Sequence, residues 1–267
     1  MVRWLIVCVL AVAGTAAAKG WPSPAAGESA SGDPEIIFTF DDGPSPKTTP
    51  AVLDALAKHH IHAVFFMVGE MAASENKKVP AIVARILREG HVIASHTMHH
   101  EDLCRVKLSQ DKAEHEIDDG IAAIEGVSHL HLAWFRTPYG SRCKRVEELL
   151  AARGLTHFHW DLDPQEWKHN DPKKAFDYVT GSLARSSDRN VLLMHDIKTA
   201  TDKALPEILD WLDAENARRA AAGKRPIRVV QAPMLALERL PAGLATWTAG
   251  AATGITGLRG ALTSVLP

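Results

Sequence analysis

The chain has no excess charge of either sign: 30 lysines and arginines face 32 aspartates and glutamates, a net charge of −2 over 267 residues. That excludes the basic surface through which nucleic acids are bound and gives no reason to expect attraction to an anionic membrane. Internal repeats are absent, so the fold is not an array of stacked units. A comfortable membrane span is absent too, because the one long apolar run lies within the first eighteen residues and is too short. Cysteine is scarce, with three copies. What remains is an ordinary globular composition, 46% hydrophobic and 23% charged, in a chain long enough for one sizeable core.

The ends differ from the middle. Residues 1–18, MVRWLIVCVLAVAGTAAA, combine basic Arg3, an apolar stretch, and small Ala16 and Ala18 before Lys19, which reads as a secretory signal peptide. The destination is periplasmic or extracellular and oxidising. There the surviving pair, Cys104 and Cys143, invites a disulfide. Residues 19–33, rich in Pro, Gly, Ser and Ala, read as a flexible linker. One folded domain is expected over 34–240. The tail, 241–267, has Arg259 as its single charge, and apolar residues from Leu244 to Leu262 recur at helical spacing, but five glycines weaken a helix there. Docking on the domain or disorder is favoured over membrane attachment. No stable membrane partner is expected, and the chain is expected to act as a monomer.

Between Pro34 and residue 240 short apolar runs alternate with helical patterns. The runs are EIIFTF, HAVFFMV, HVIASH, LAWFR, THFHW, VLLMHD and RVVQA. The helices are expected near Pro50–His60, Val79–Glu89, Ser109–Glu125, Arg142–Arg153, Pro172–Arg185 and Leu205–Ala221. About seven strands alternating with helices predict an α/β fold, a distorted, incomplete (β/α) barrel of parallel strands.

Such folds carry their chemistry at the carboxyl ends of the strands. Past the first run stand Asp41 and Asp42, adjacent carboxylates that repel unless a positive group lies beside them. A polar turn that merely ends a strand uses the same residue types. Past the third run stand His96, His99 and His100, past the fourth Arg136 and Tyr139, past the fifth Asp163, Glu166 and Trp167, and at the end of the sixth His195 and Asp196. His96 and His100, four apart, share one side of a helical turn, a spacing that suits a divalent cation; His99 could replace His100 on geometry alone. Two histidines and a strand-terminal Asp make a catalytic metal shell with open positions. The cation would neutralise one Asp as a ligand and leave the other ionised beside water it acidifies.

TFDDGP, HTMHH, RTPYG, DLDPQEW and LLMHD, in this order, resemble the five motifs of polysaccharide deacetylases with a NodB homology domain, carbohydrate esterase family 4. The likeness spans about Glu35 to Ala232. It implies metal-dependent removal of acetyl groups from polysaccharides, most often N-acetylglucosamine polymers such as chitin-like oligosaccharides or peptidoglycan. Carried over residue by residue, it implies that Asp42, His96 and His100 hold the metal, zinc with cobalt as the alternative. Asp41 would be the base, Arg136 would orient it, and His195 would be the acid that protonates the leaving amine. The backbone amide of Tyr139 would help bind the oxyanion, and Trp167 and Leu193 would shape the acetyl pocket.

One departure matters. The fourth motif of the family usually ends in Asp-Trp, the Asp holding the catalytic His protonated, whereas this chain has Glu166-Trp167, one methylene longer. Other residues carry simpler readings. His59, His60 and His62 suit the end of a helix, His157 and His159 share one strand face, Asp161 and Asp163 are loop carboxylates, and Asp196 caps the turn that follows it. The reading is therefore an exported metal-dependent N-deacetylase. An O-deacetylase of acetylated xylan would use the same site, and a catalytically weak carbohydrate-binding homologue would find its main support in Glu166. Retention of both Asp41 and His195 argues against the latter. An iron oxygenase with the same ligand set would need neither of them.

Overall fold

A computed structural model describes residues 32–238. The signal peptide, nearly all of the linker and the tail from residue 241 lie outside the described residues. The strands are β1 (Glu35–Asp41), β2 (Val64–Met67), β3 (Val92–Ser95), β4 (Trp134–Phe135), β5 (Thr156–His157), β6 (Arg189–His195) and β7 (Arg228–Val229). The helices are α1 (Thr49–Lys58), α2 (Gly69–Ala72), α3 (Val79–Arg88), α4 (Gln110–Ser128), α5 (Lys144–Ala152), α6 (Glu166–His169), α7 (Pro172–Arg185), α8 (Thr199–Ala221) and α9 (Ala232–Glu238), with a 3₁₀ turn at Pro138–Gly140. None of them is long and apolar enough to cross a membrane.

All strand pairs are parallel, in the order β5-β4-β3-β2-β1-β6, and β7 pairs the first two residues of β1. Leu162, beyond β5, forms a parallel bridge to Leu192 of β6. The two ends of the row therefore approach through a single bridge, and the sheet is a curled, incomplete barrel.

Alternation along the strands sorts residues between two cores. On β1, Ile36, Phe38 and Phe40 join the layer between sheet and helices, together with Phe65, Met67, Leu192 and Met194. Ile37 faces the other way, into a core shared with Val64, Phe66, Ala94, Trp134, Phe158 and Val191. By the same parity Thr39 and Asp41 follow Ile37, and Leu193 and His195 follow Val191. The inner face of the curled sheet is thus apolar at the strand starts and polar at their carboxyl ends. A third cluster, Leu103, Ala113, Ile117, Phe135, Val146 and Leu150 among others, packs α4 and α5 together beside Cys104 and Cys143. Those cysteines form a disulfide, with Cα atoms 5.8 Å apart.

Three expectations about elements need correction. THFHW pairs in the sheet only through Thr156 and His157, and LAWFR only through Trp134 and Phe135. Helix α8 starts at Thr199, six residues ahead of Leu205, with Pro206 inside it. A proline usually marks a first turn. Here Leu205, Ile208, Leu209 and Leu212 are all buried, and packing overrides the local preference. The short α2, α6 and α9 carry too little periodicity to be read from sequence.

Candidate active site

The five segments that leave the carboxyl ends of β1, β3, β4, β5 and β6 surround one cavity of about 370 Å³. Asp41, Asp42, His96, His100, Tyr139, Trp167, Leu193 and His195 all line it, together with Trp160, Asp163 and Lys198. Backbone strain concentrates around it. Of eight non-glycine residues with positive φ among those described, Asp42, Thr97, His100, Tyr139 and Gln165 lie in these segments. Such conformations persist where surrounding structure over-determines them, often at functional sites.

The histidine segment is not a helical turn, contrary to the reading from its spacing. The chain bends at Met98 and His99, with φ of 69° at Thr97 and 60° at His100. Helix α2 holds them: the Gly69 amide donates to Thr97 O and the Glu70 amide to Met98 O, both at 2.9 Å. Helix α4 comes close because Gly120 has no side chain, since a Cβ there would meet the Thr97 carbonyl carbon at 2.6 Å. The His100 amide donates to Thr97 Oγ1 at 2.9 Å. Glu116 of α4 takes the amide and the ring of His99, each at 2.8 Å. His99 is thereby occupied elsewhere, while His100 faces the cavity.

The liganding atoms of Asp42, His96 and His100 all lie within 4.8 Å of one another, the one such group of three among the described residues. Asp42 Oδ1 is 3.6 Å from His96 Nε2 and 3.3 Å from His100 Nε2. It is buried without a hydrogen-bond partner. His96 Nδ1 lies 2.8 Å from the Arg136 carbonyl oxygen, an acceptor only, so Nδ1 carries the proton and Nε2 presents its lone pair. Burial pushes the His96 pKa down to about 3, against the opposing pull of Asp42. A neutral imidazole is the form a metal requires. An orphaned carboxylate oxygen and a histidine fixed in the liganding tautomer fit a divalent cation with nitrogen and oxygen ligands.

Asp41 is 2% exposed, and its Oδ1 accepts from Arg136 Nη1 at 2.7 Å. Burial raises the Asp41 pKa; Arg136 and His195 oppose the rise. Arg136 is completely buried and fully used. Its Nη1 also donates to Thr39 Oγ1 (2.8 Å), Nη2 to His159 O (3.1 Å) and Nε to Phe158 O (3.4 Å), and its guanidinium lies 4.0 Å over the Phe66 ring. Five fixed contacts aim one fork at one carboxylate oxygen.

His195 is the register partner of Asp41 on the neighbouring strand β6. Its Nδ1 lies 2.9 Å from Glu166 Oε1, which also accepts from the His195 amide at 2.8 Å and Thr201 Oγ1 at 3.2 Å. Glu166 is buried at the start of α6, next to Gln165 with φ of 54°. Burial alone would lower the His195 pKa; the Glu166 hydrogen bond and charge outweigh it, with help from Asp42 and Asp41, and lift it to about 8. The longer glutamate therefore does reach the imidazole. Leu193 lines the cavity floor, the Trp167 ring lies 6.5 Å from that of His195, and the Tyr139 ring packs edge-on to His100 at 4.8 Å.

Asp196 takes another place than expected. Asp196 does not cap its own turn: Thr49 Oγ1 donates to its carboxylate at 2.5 Å, and that carboxylate packs directly on Gly43. Asp163 lines the cavity, whereas Asp161 accepts the Val191 amide at 2.8 Å and helps dock the segment after β5 on β6. His157 is buried between Thr137 and Glu147, and His159 stacks on Trp160. His59 pairs with Asp213 of α8 at 2.8 Å. Thr39, Trp160 and Lys198 escaped sequence reasoning. Thr39 alone had a signal, since it precedes Asp41 by two and shares its strand face.

The model of the family described as polysaccharide deacetylase matches residues 28–158. A chitooligosaccharide deacetylase of Sinorhizobium fredii (strain NBRC 101917 / NGR234) is 34% identical over 169 residues, 63% of this chain and 74% of the relative. The peptidoglycan-N-acetylmuramic acid deacetylase PdaC of Bacillus subtilis (strain 168) is 34% identical over 177 residues, 66% of this chain but only 35% of that longer protein. The solved structure of peptidoglycan deacetylase PdaC from Bacillus subtilis superimposes with a TM-score of 0.63 at 30% identity, covering 78% of this chain and 93% of that one. With the motifs, the curled parallel sheet and these relatives in agreement, the chain belongs to the polysaccharide deacetylase family, hydrolases that cleave amide bonds of acetylated glycans.

Proposed function

We propose that the protein is exported and removes N-acetyl groups from an N-acetylglucosamine-containing polysaccharide, using a divalent cation, zinc, held by Asp42, His96 and His100. What carries this reading is the convergence on one cavity of three candidate ligands, a carboxylate clamped by an arginine, and an imidazole backed by a carboxylate. When bound, the cation supplies Lewis acidity, acidifying water and drawing charge from the acetyl carbonyl. Asp41, whose burial Arg136 opposes, takes the proton of the attacking water. His195, kept protonated by Glu166, gives a proton to the departing amine. Trp167 and Leu193 flank the acetyl methyl and exclude solvent, and the exposed Tyr139 and Trp167 rings offer faces for sugar rings. An amine is a far poorer leaving group than the alcohol of an ester, so a strongly supported general acid favours N-acetyl over O-acetyl substrates. The apolar N-terminal stretch and the Cys104–Cys143 disulfide support an oxidising destination outside the cytoplasm.

Acetate release from chitotetraose tests the proposal. Chelation should abolish it, and zinc or cobalt should restore it. His100→Ala should lose tight metal binding, read directly by metal analysis of the purified protein, while His99→Ala should keep it because that ring is tied to Glu116. Full activity in a demonstrably metal-free sample would sink the mechanism.

A further inference from the structure

The inference rests on the deacetylase reading and concerns which glycan the cavity takes. Lys198 is the one lysine or arginine that lines it. It sits three residues past His195, in a tight turn closed by a hydrogen bond from its amide to the His195 carbonyl at 3.1 Å. Turns of this kind hold their end Cα atoms within about 7 Å of each other. Beyond the turn, Thr199 Oγ1 meets Asn170 Oδ1 at 3.2 Å, tying the start of α8 to the end of α6, the helix that carries Trp167. The position is therefore fixed by backbone on both sides. Lys198 is half-buried, yet its ammonium makes no hydrogen bond or ion pair with any described residue. None of the carboxylates of the same cavity pairs with it: Asp41 accepts from Arg136, Asp42 faces the two candidate-ligand histidines, and Asp163 accepts from the Gln165 amide. A cation that lines a cavity with none of the described carboxylates paired to it is free to meet an anion that enters the cavity. The described residues supply none, and Lys198 lines the substrate cavity.

We infer that Lys198 receives an anionic substituent of the substrate, so that the preferred glycan carries a carboxylate on, or next to, the sugar whose acetamide is cleaved. The acetamide must sit between Asp41 and His195, and Lys198 is one turn from His195, so its reach covers that sugar and its neighbour. N-Acetylmuramic acid, with a lactyl carboxylate on the ring carbon beside the acetamide-bearing one, has this chemistry; chitin, which is neutral, does not. Product acetate is the other carboxylate that could reach the same ammonium.

Three substrates for the metal-loaded enzyme separate these cases: a tetrasaccharide alternating N-acetylglucosamine and N-acetylmuramic acid, the same molecule with its carboxyls reduced to alcohols, and chitotetraose. The wild type should favour the first over the second by about tenfold in kcat/KM, mainly through KM. Lys198→Met should erase that ratio, and Lys198→Arg should keep it. An unchanged ratio in Lys198→Met overturns the inference. So does a rise in the inhibition constant of acetate with the ratio untouched, which would give Lys198 to the product. A wild type active on chitotetraose with no preference among the three removes the inference and leaves the deacetylase reading standing; one inert on all three removes both.

Discussion

Glu166→Gln removes one negative charge from beneath His195 and keeps the length of the side chain. In the intact protein burial pulls the imidazole below its ordinary 6.5, and Glu166, through a hydrogen bond and its charge, is the main force that carries it up to about 8. At about 1.36 kcal/mol per unit, that net rise is roughly 2 kcal/mol of preference for the imidazolium. With a carboxamide in place burial prevails, and the pKa should fall below 6.5. At about pH 7.5, a group titrating near 8 is about three-quarters protonated and one titrating at 6.5 about one-tenth, so turnover should drop about eightfold or more from proton occupancy alone. The basic limb of the rate profile should move to lower pH. The acidic limb, set by Asp41, should stay.

The sign carries over to stability. A raised His195 pKa stabilises the fold fully below about pH 6.5 and loses its effect as pH rises through about 8. In Glu166→Gln that contribution disappears, and protonating the buried ring becomes unfavourable at acid pH. Imidazole titration by NMR on the metal-free protein, beside the rate profile of the loaded enzyme, reads both consequences. A His195 titration that does not move would refute the pairing. Glu166→Asp restores the residue usual in the family but shortens a side chain whose single oxygen serves three donors at 2.8, 2.9 and 3.2 Å. Its turnover should fall, and a rise would mean that the longer side chain holds His195 badly.

The Cys104–Cys143 disulfide closes a segment with a sequence separation of 39, worth about 3 to 4 kcal/mol in the chain-entropy model. Denaturation of Cys104→Ser/Cys143→Ser should show a loss of that order, and two alkylatable thiols in protein from an oxidising compartment would exclude the bond. Gly43→Ala would drive a methyl group into the Asp196 carboxylate and displace the adjoining Asp42. Metal affinity by calorimetry should fall by about ten- to a hundredfold, and wild-type affinity in a folded variant would show that the loop can yield. Arg136→Met strips Asp41 of the cation that opposes its burial. The Asp41 pKa should rise further and carry the acidic limb of the rate profile to higher pH, which a pH series of acetate release would show or deny.

Much of the frame was legible because local and tertiary signals agree. Helix α7 was bounded by eye at Pro172–Arg185, since Pro172 opens it and the Asp171 side chain accepts the Lys174 amide as its cap. The parallel barrel followed from seven apolar runs between helical patterns. The choice between His99 and His100 was not legible from their spacing, and came only through the motif resemblance. Spacing alone implies a helical turn, whereas the positive φ at Thr97 and His100 goes with close packing of α2 and Gly120 on this segment, and His99 is taken by Glu116 seventeen residues away. Lys198 had no signal at all. A lysine in a turn is ordinary until the fold sets it against a cavity with no anion among the described residues paired to it.

Besides Asp163, four carboxylates gather here, and their partners rather than their type divide the work among them. Asp41 and His195 pair as register neighbours on β1 and β6, so base and acid stand side by side on the inner face of the sheet. Each has its own buried counter-ion, Arg136 for the base and Glu166 for the acid, and these push the two groups toward opposite protonation states. Asp42, one residue on, turns with φ of 76° and brings its oxygen within 3.6 Å of His96 Nε2 and 3.3 Å of His100 Nε2. Asp196, also one residue on, lies on the opposite strand parity from His195, packs behind Gly43 and is held by Thr49. Burial, tempered by Thr49, lifts its pKa to about 7, so near neutral pH it adds less than a full charge behind the two catalytic-side aspartates. A change of one residue in the register of β6 against β1 would exchange the roles of His195 and Asp196, putting a carboxylate where the acid belongs.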